Sequence, residues 1–310
     1  MREEFGRFHP VVNILFYTLI LGITMFVNHP IMIFISFLFA TVYFEIVYKN
    51  KKIKKLTGLL GLFIFAGLIN PLFSHRGMTV LFFLPTGNAV TLESIIYGMF
   101  AAGILVTVMI WIFTFQKIVT EDKIMAVFGK IVPTLALIFS MVLKFVPAFV
   151  AHAKETSDVN RVMAIANGSD INKMNFIRKV KMQVKNFSIT ATWALENSVD
   201  TADSMASRGY GVKRRTNFNN YKLTLRDIIA LMWIIFLGGI VVLGCIFGCV
   251  KTHYYPMFYI EENKYATLVY ITYSALCATP ILINIMEEIR WQETVTKILI
   301  FYLSIKQRKK

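Results

Sequence analysis

Between Arg7 and Glu45 lie 37 residues without one charged side chain. Water-soluble folds break their apolar residues into short periodic runs, so a block of this length argues against an ordinary globule. The hydrocarbon core of a bilayer takes about 17–25 residues per helix. The block is too long for one span and suits two short ones, with Asn28-His29-Pro30 as the turn between them. Further charge-free blocks run over 56–75, 94–116, 228–250 and 265–286. The expected fold is therefore all-α: a polytopic membrane protein of about six transmembrane helices. With 56% hydrophobic residues the chain is also far too apolar for disorder.

The charge is lopsided, with 33 Lys+Arg against 18 Asp+Glu and a net charge of +15. Six spans put both termini on one side, and 30 of the 33 basic residues then fall on that side. Only Arg76, Lys251 and Lys264 fall on the other. Basic residues concentrate in cytoplasmic loops, so both termini are expected in the cytoplasm. The first residues mix Arg2, Glu3, Glu4 and Arg7 with no small-x-small site after them, so a cleavable signal is not expected.

One apolar segment complicates the span count. Residues 131–150 contain Lys144 and are interrupted by Pro133 and Pro147. If this segment crossed, most basic residues of the next one would move outside. It is expected to lie on, or dip into, the cytoplasmic face. The chain then reads as three parts: 1–130 with about four spans, 131–226 with cytoplasmic and interfacial helices, and 227–310 with about two spans and a basic tail.

The polar insert carries the chemistry. From Asn186 to Arg208 the pattern is amphipathic: Leu195, Val199, Ala202 and Ala206 form an apolar stripe, and Glu196, Asp200, Asp203 and Ser207 a polar one beside it. Upstream, Arg178, Lys179, Lys181 and Lys185 form a basic cluster that anionic lipid would attract. Two runs of small residues end alike: Met163-Ala164-Ile165-Ala166-Asn167-Gly168 and Met205-Ala206-Ser207-Arg208-Gly209. A glycine just past a helix end readily takes the left-handed cap conformation, so each run reads as a helix C-terminus.

In combination these runs resemble a known family. Residues Thr201 to Gly211, followed by Arg214-Arg215-Thr216, are similar to the second Ala-Arg-Gly signature of the transmembrane T component of energy-coupling-factor (ECF) transporters. Lys144-Phe145-Val146-Pro147 resembles the stretch before the first signature, and Asn70 to Gly77 the exit of the third span. Two positions depart from the pattern: Ser207 stands in place of Ala, and Asn167 in place of Arg.

The resemblance implies a scaffold whose coupling helices dock into two ATP-binding-cassette ATPase subunits. The first coupling motif would be Ala166, Asn167 and Gly168, and the second Ser207, Arg208 and Gly209. It further implies a separate substrate-binding membrane subunit, uptake of a vitamin or metal ion, and a prokaryotic plasma membrane. No nucleic-acid partner is expected. An arginine fork suits carboxylates and carbonyls in a groove, whereas Asn167 cannot form an ion pair. Docking is thus expected to be unequal, with Arg208 the stronger contact.

This chain is expected to hold no cofactor and to perform no catalysis. It has no GxxxxGK[ST] loop, Gly129-Lys130 being followed by Ile131, so ATP and Mg would belong to the partner subunits. Rival readings are an intramembrane enzyme and a self-contained channel or carrier. Glu287-Glu288-Ile289-Arg290 reads as a charge cluster at a span's end. His152, Glu155 and Asp158 read as a solvated face more readily than as metal ligands. The spans are nearly free of charge, whereas carriers place ionisable groups inside theirs. Cys245, Cys249 and Cys277 sit in apolar blocks, and Gly244 to Gly248 is a small-xxx-small pattern suited to close helix packing.

Overall fold

The computed structural model describes residues 4–48, 52–74, 77–83, 89–166, 176–211, 221–255 and 258–308. The chain is an all-α polytopic membrane protein. Its helices are α1 (Pro10–Phe26), α2 (Pro30–Val47), α3 (Lys52–Phe73), α4 (Leu92–Ile118), α5 (Glu121–Ile131), α6 (Pro133–Ala166), α7 (Phe176–Ser207), α8 (Leu225–Ile246) and α9 (Ala266–Arg308). Two small antiparallel hairpins interrupt the series: β1 (Val80–Phe83) with β2 (Ala89–Thr91), and β3 (Val250–His253) with β4 (Tyr259–Glu262).

Five helices are long and apolar enough to cross a bilayer: α2, α4, α6, α8 and the Ala266–Trp291 part of α9. The apolar helices Pro10–Phe26 and Thr57–Phe73 are shorter. All six expected spans are thus helical. One difference concerns α6, which qualifies by length and composition although sidedness argued against its crossing. It is one unbroken 34-residue helix. Pro133 is its first residue, where the missing N–H costs nothing, and Pro147 is held inside.

Helix starts follow local chemistry. Pro10 and Pro30 open α1 and α2 at positions that suit their fixed φ. At α4 the Thr91 hydroxyl accepts from the Ser94 backbone N–H at 3.3 Å. At α8 Thr224 and Asp227 close a reciprocal capping box.

The chain divides into two compact units, one of Met1–Ile124 with Tyr221–Lys310, the other of Met125–Asn220. The first unit is a helix bundle around Trp111, which is fully buried, with the rings of Phe16, Tyr17 and Tyr43 about it at 6.0 to 6.2 Å. Neutral hydrogen bonds join four helices there. Trp111 Nε1 donates to Ser36 Oγ at 3.0 Å, Thr24 Oγ1 lies 3.3 Å from Ser36 Oγ, and Thr24 Oγ1 lies 3.0 Å from the Tyr273 hydroxyl. In lipid such bonds supplement van der Waals packing as the force between helices.

Close packing is visible where α8 meets α9: a Cβ on Gly244 would lie 2.5 Å from Val269 Cγ2. Gly248, its partner in the small-xxx-small pattern, does different work. Its φ is +69°, and it ends α8 in a turn in which Gly248 N–H donates to Cys245 O and Cys249 N–H to Gly244 O.

Side chains also tie each end of this bundle. At the end holding the hairpins, the buried Tyr254 hydroxyl donates to Asn28 O at 3.2 Å, and Ser74 Oγ lies 3.4 Å from the Tyr255 hydroxyl. Burial pushes the Tyr254 phenol well above its ordinary pKa, so it stays a donor. At the other end the segment before α1 is fastened. Glu4 and Phe5 N–H donate to Asn284 Oδ1 at 2.9 and 3.1 Å, and His9 N–H donates to Asp227 Oδ1 at 3.0 Å.

Candidate functional site

The second unit is built on α6 and α7. Trp193 of α7 stacks on His152 of α6 at 4.1 Å between centroids and meets Phe149 edge-on at 5.7 Å. Further along, Asn160 Nδ2 donates to Asn186 Oδ1 at 2.6 Å. As the α6 partner moves from 149 to 160, the α7 partner moves back from 193 to 186, so the helices run antiparallel. The C-terminal ends of α6 and α7 therefore lie at opposite ends of the pair. At 1.5 Å per residue, Ala166 and Ser207 stand on the order of 40 Å apart.

The run Ser207-Arg208-Gly209, expected to be the second coupling motif, takes the geometry its glycine implies. Ser207 is the last residue of α7, and Arg208 and Gly209 turn out of the helix. Gly209 has φ +83°. Its N–H donates to Ala206 O at 3.0 Å, and Tyr210 N–H donates to Met205 O at 3.0 Å. This pair of bonds is the Schellman arrangement, which satisfies carbonyls that a helix end leaves open. Ser207 Oγ turns back onto Ser204 O at 2.9 Å. The hydroxyl that distinguishes Ser207 from alanine is thus absorbed by its own helix. Ser207, Arg208, Gly209 and Tyr210 are all exposed.

Gly248 ends α8 with the same bonds, so the turn alone marks no function. What sets Gly209 apart is the exposed arginine beside it and the helix face behind it. Of the run expected to be the first coupling motif, Ala166 ends α6, while Asn167 and Gly168 lie outside the described residues. Nearby on α6, Val162, Met163 and Ile165 are 58–66% exposed.

The two stripes of α7 differ in what they meet. Its apolar stripe faces outward: Leu195 is 71% and Val199 60% exposed, and Ala202 and Ala206 are exposed too. The covered face is mixed: buried Asn186 and half-buried Thr190, Asn197, Thr201 and Ser204 alternate with half-buried Met182, Ala191, Trp193, Ala194 and Met205. Asn186 and Trp193 on this face are the α7 partners of α6. Exposed apolar side chains of this kind are covered by a partner protein or by lipid. The basic cluster Arg178, Lys179, Lys181 and Lys185 is exposed, as are Phe176, Val180, Val184 and Phe187 on another face of the same turns.

No family model matches the chain, and no curated protein matches it.

The residues of the rival readings are also placed. His152 turns toward Trp193, whereas Glu155 and Asp158 are exposed. Among the described residues no three His, Cys, Asp or Glu side chains gather as metal ligands. Glu287 pairs with Arg226 at 3.0 Å and with Arg290 at 3.9 Å. Among the described residues, the buried Asp, Glu and Lys side chains are Glu93, Lys123 and Asp227. Each lies in the first turn of its helix. The buried polar groups that link α1, α2, α4 and α9 are the neutral Thr24, Ser36, Trp111 and Tyr273.

Proposed function

We propose that the chain is the membrane scaffold, or T component, of an ECF-type ATP-binding-cassette importer in a prokaryotic plasma membrane. In this reading both termini are cytoplasmic, and α6 and α7 are coupling helices. Two ATPase subunits bind ATP and Mg and dock at the ends of the pair. A separate membrane subunit captures a vitamin or metal ion and is moved when the ATPases close. The chain itself transmits force and performs no catalysis.

One observation carries the reading: α7 ends in Ser207-Arg208-Gly209 with Arg208 exposed and an uncovered apolar stripe behind it. An exposed guanidinium on a tight glycine turn can enter a groove and form paired hydrogen bonds to carboxylates or carbonyls. The stripe through Leu195 and Val199 supplies the apolar surface such docking buries. The opposed ends of α6 and α7 suit two separate ATPases better than one. Neutral, hydrogen-bonded groups between the spans suit a scaffold better than a carrier, which needs ionisable groups along its path.

The test is substrate uptake by the complete complex carrying Arg208→Glu. Charge reversal is expected to abolish ATP-driven uptake and co-purification of an ATPase, while the chain still inserts and accumulates. Near-normal uptake by the variant refutes the role.

A further inference from the structure

A cleft of about 580 Å³ opens at the bundle end that carries the N-terminal segment, between α8 and α9. Its walls are apolar and exposed, with Ile229 and Trp233 on α8 and Leu282 and Met286 on α9. Its mouth is charged. Arg226 and Arg290 both reach the same oxygen, Glu287 Oε1, at 3.0 and 3.9 Å. The Arg226 guanidinium also lies over the Phe8 ring, 4.4 Å from its centroid. The carboxylate and the ring position the Arg226 guanidinium, Arg290 stands exposed at the same carboxylate, and the charged lining side chains sum to one positive charge.

The dimensions identify an occupant. From Arg290 at the mouth to Thr279, the lining residue deepest along α9, is about 16 Å at 1.5 Å per residue. Half of a ~30 Å hydrocarbon core is the depth reached by the acyl chain of one leaflet. An apolar cleft one leaflet deep, ending at two arginines, matches an amphiphile with one anionic end. Guanidinium forks bind phosphate oxygens in pairs, and each arginine has further N–H donors beyond those on Glu287.

We propose that this cleft is a binding site for an anionic phospholipid, its phosphate held by Arg226 and Arg290 and one acyl chain lying along Trp233 and Leu282. The site does not depend on the coupling role of α6 and α7.

Trp233 in the cleft wall reports occupancy. The full chain is reconstituted in phosphatidylcholine bilayers containing a small fraction of brominated lipid, which quenches tryptophan on contact. The Trp233 signal is the difference between the wild type and Trp233→Phe. Brominated phosphatidylglycerol is expected to quench it with about fivefold preference over brominated phosphatidylcholine, the selectivity of one net charge near the membrane surface. Arg290→Gln removes an exposed side chain and should bring the preference close to one. Glu287→Gln raises the charge at the mouth and should increase it about fivefold again, a gain that misfolding does not produce. Equal quenching by the two lipids in the wild type overturns the proposal, as does a preference that neither variant changes. Loss of the preference when soluble glycerol phosphate is added at constant ionic strength also overturns it, assigning the mouth to a free phosphate.

Discussion

The hydrogen bond between Asn160 and Asn186 makes an asymmetric prediction. Asn186 is 5% exposed and already holds one unpartnered group, its Nδ2, among the described residues. Asn160 is half-buried. Asn160→Ala removes the donor and strands the Asn186 oxygen in the α6–α7 contact. A buried polar group left without a partner costs about 1–3 kcal/mol. Asn186→Ala removes the acceptor together with the group that had no partner, and leaves Asn160 able to hydrate. Its cost is the net hydrogen bond, about 1 kcal/mol.

Hydrogen exchange at α7 amides around 186–193 measures local opening in these units. Asn160→Ala should accelerate exchange roughly thirtyfold, for about 2 kcal/mol, and Asn186→Ala about fivefold. The double variant should resemble Asn186→Ala alone, because the stranded oxygen is then gone. Two results refute the reasoning. One is Asn186→Ala costing as much as Asn160→Ala. The other is single effects that add within about 0.3 kcal/mol, as uncoupled sites do.

Two other substitutions test backbone and packing. Gly209→Val places a β-branched residue at φ +83°, where a left-handed backbone costs about 1–2 kcal/mol for an L-residue. In the proposed importer it should impair uptake while Gly209→Asn, which tolerates this region, retains most of it; equal uptake by the two variants refutes a need for the turn. Gly244→Leu drives side-chain atoms into Val269 of α9, an overpacking worth about 1–3 kcal/mol, whereas Gly239 has nothing within 4 Å of its Cβ position. Thermal unfolding in detergent should show a lowered Tm for Gly244→Leu and little change for Gly239→Leu.

Much of this protein is set by local interactions. Charge-free blocks longer than a bilayer core require spanning helices whatever their neighbours are. Prolines at 10, 30 and 133, Thr224 with Asp227, and Gly209 set helix ends through bonds made within a few residues. The C-cap turn after Ser207 belongs to that class. So does the fate of the Ser207 hydroxyl, which bonds one turn back.

Other features were decided by tertiary structure, because they depend on residues far apart in the chain. Periodicity on α7 defines an apolar stripe and a polar one but says nothing of which meets another helix. Trp193 and Asn186 lie against α6, so Leu195 and Val199 are left uncovered, and the candidate docking face follows from that choice. Pro147 looked like a break because sequence weighs the lost hydrogen bond alone, whereas α6 continues through it. Gly244 and Gly248 share one spacing motif, yet one allows contact with Val269 and the other turns the chain, since only the first faces a helix. The charged mouth of the α8–α9 cleft needs Arg226 beside Glu287, which lie 61 residues apart in sequence. No local rule pairs them; the antiparallel packing of two spans brings them together.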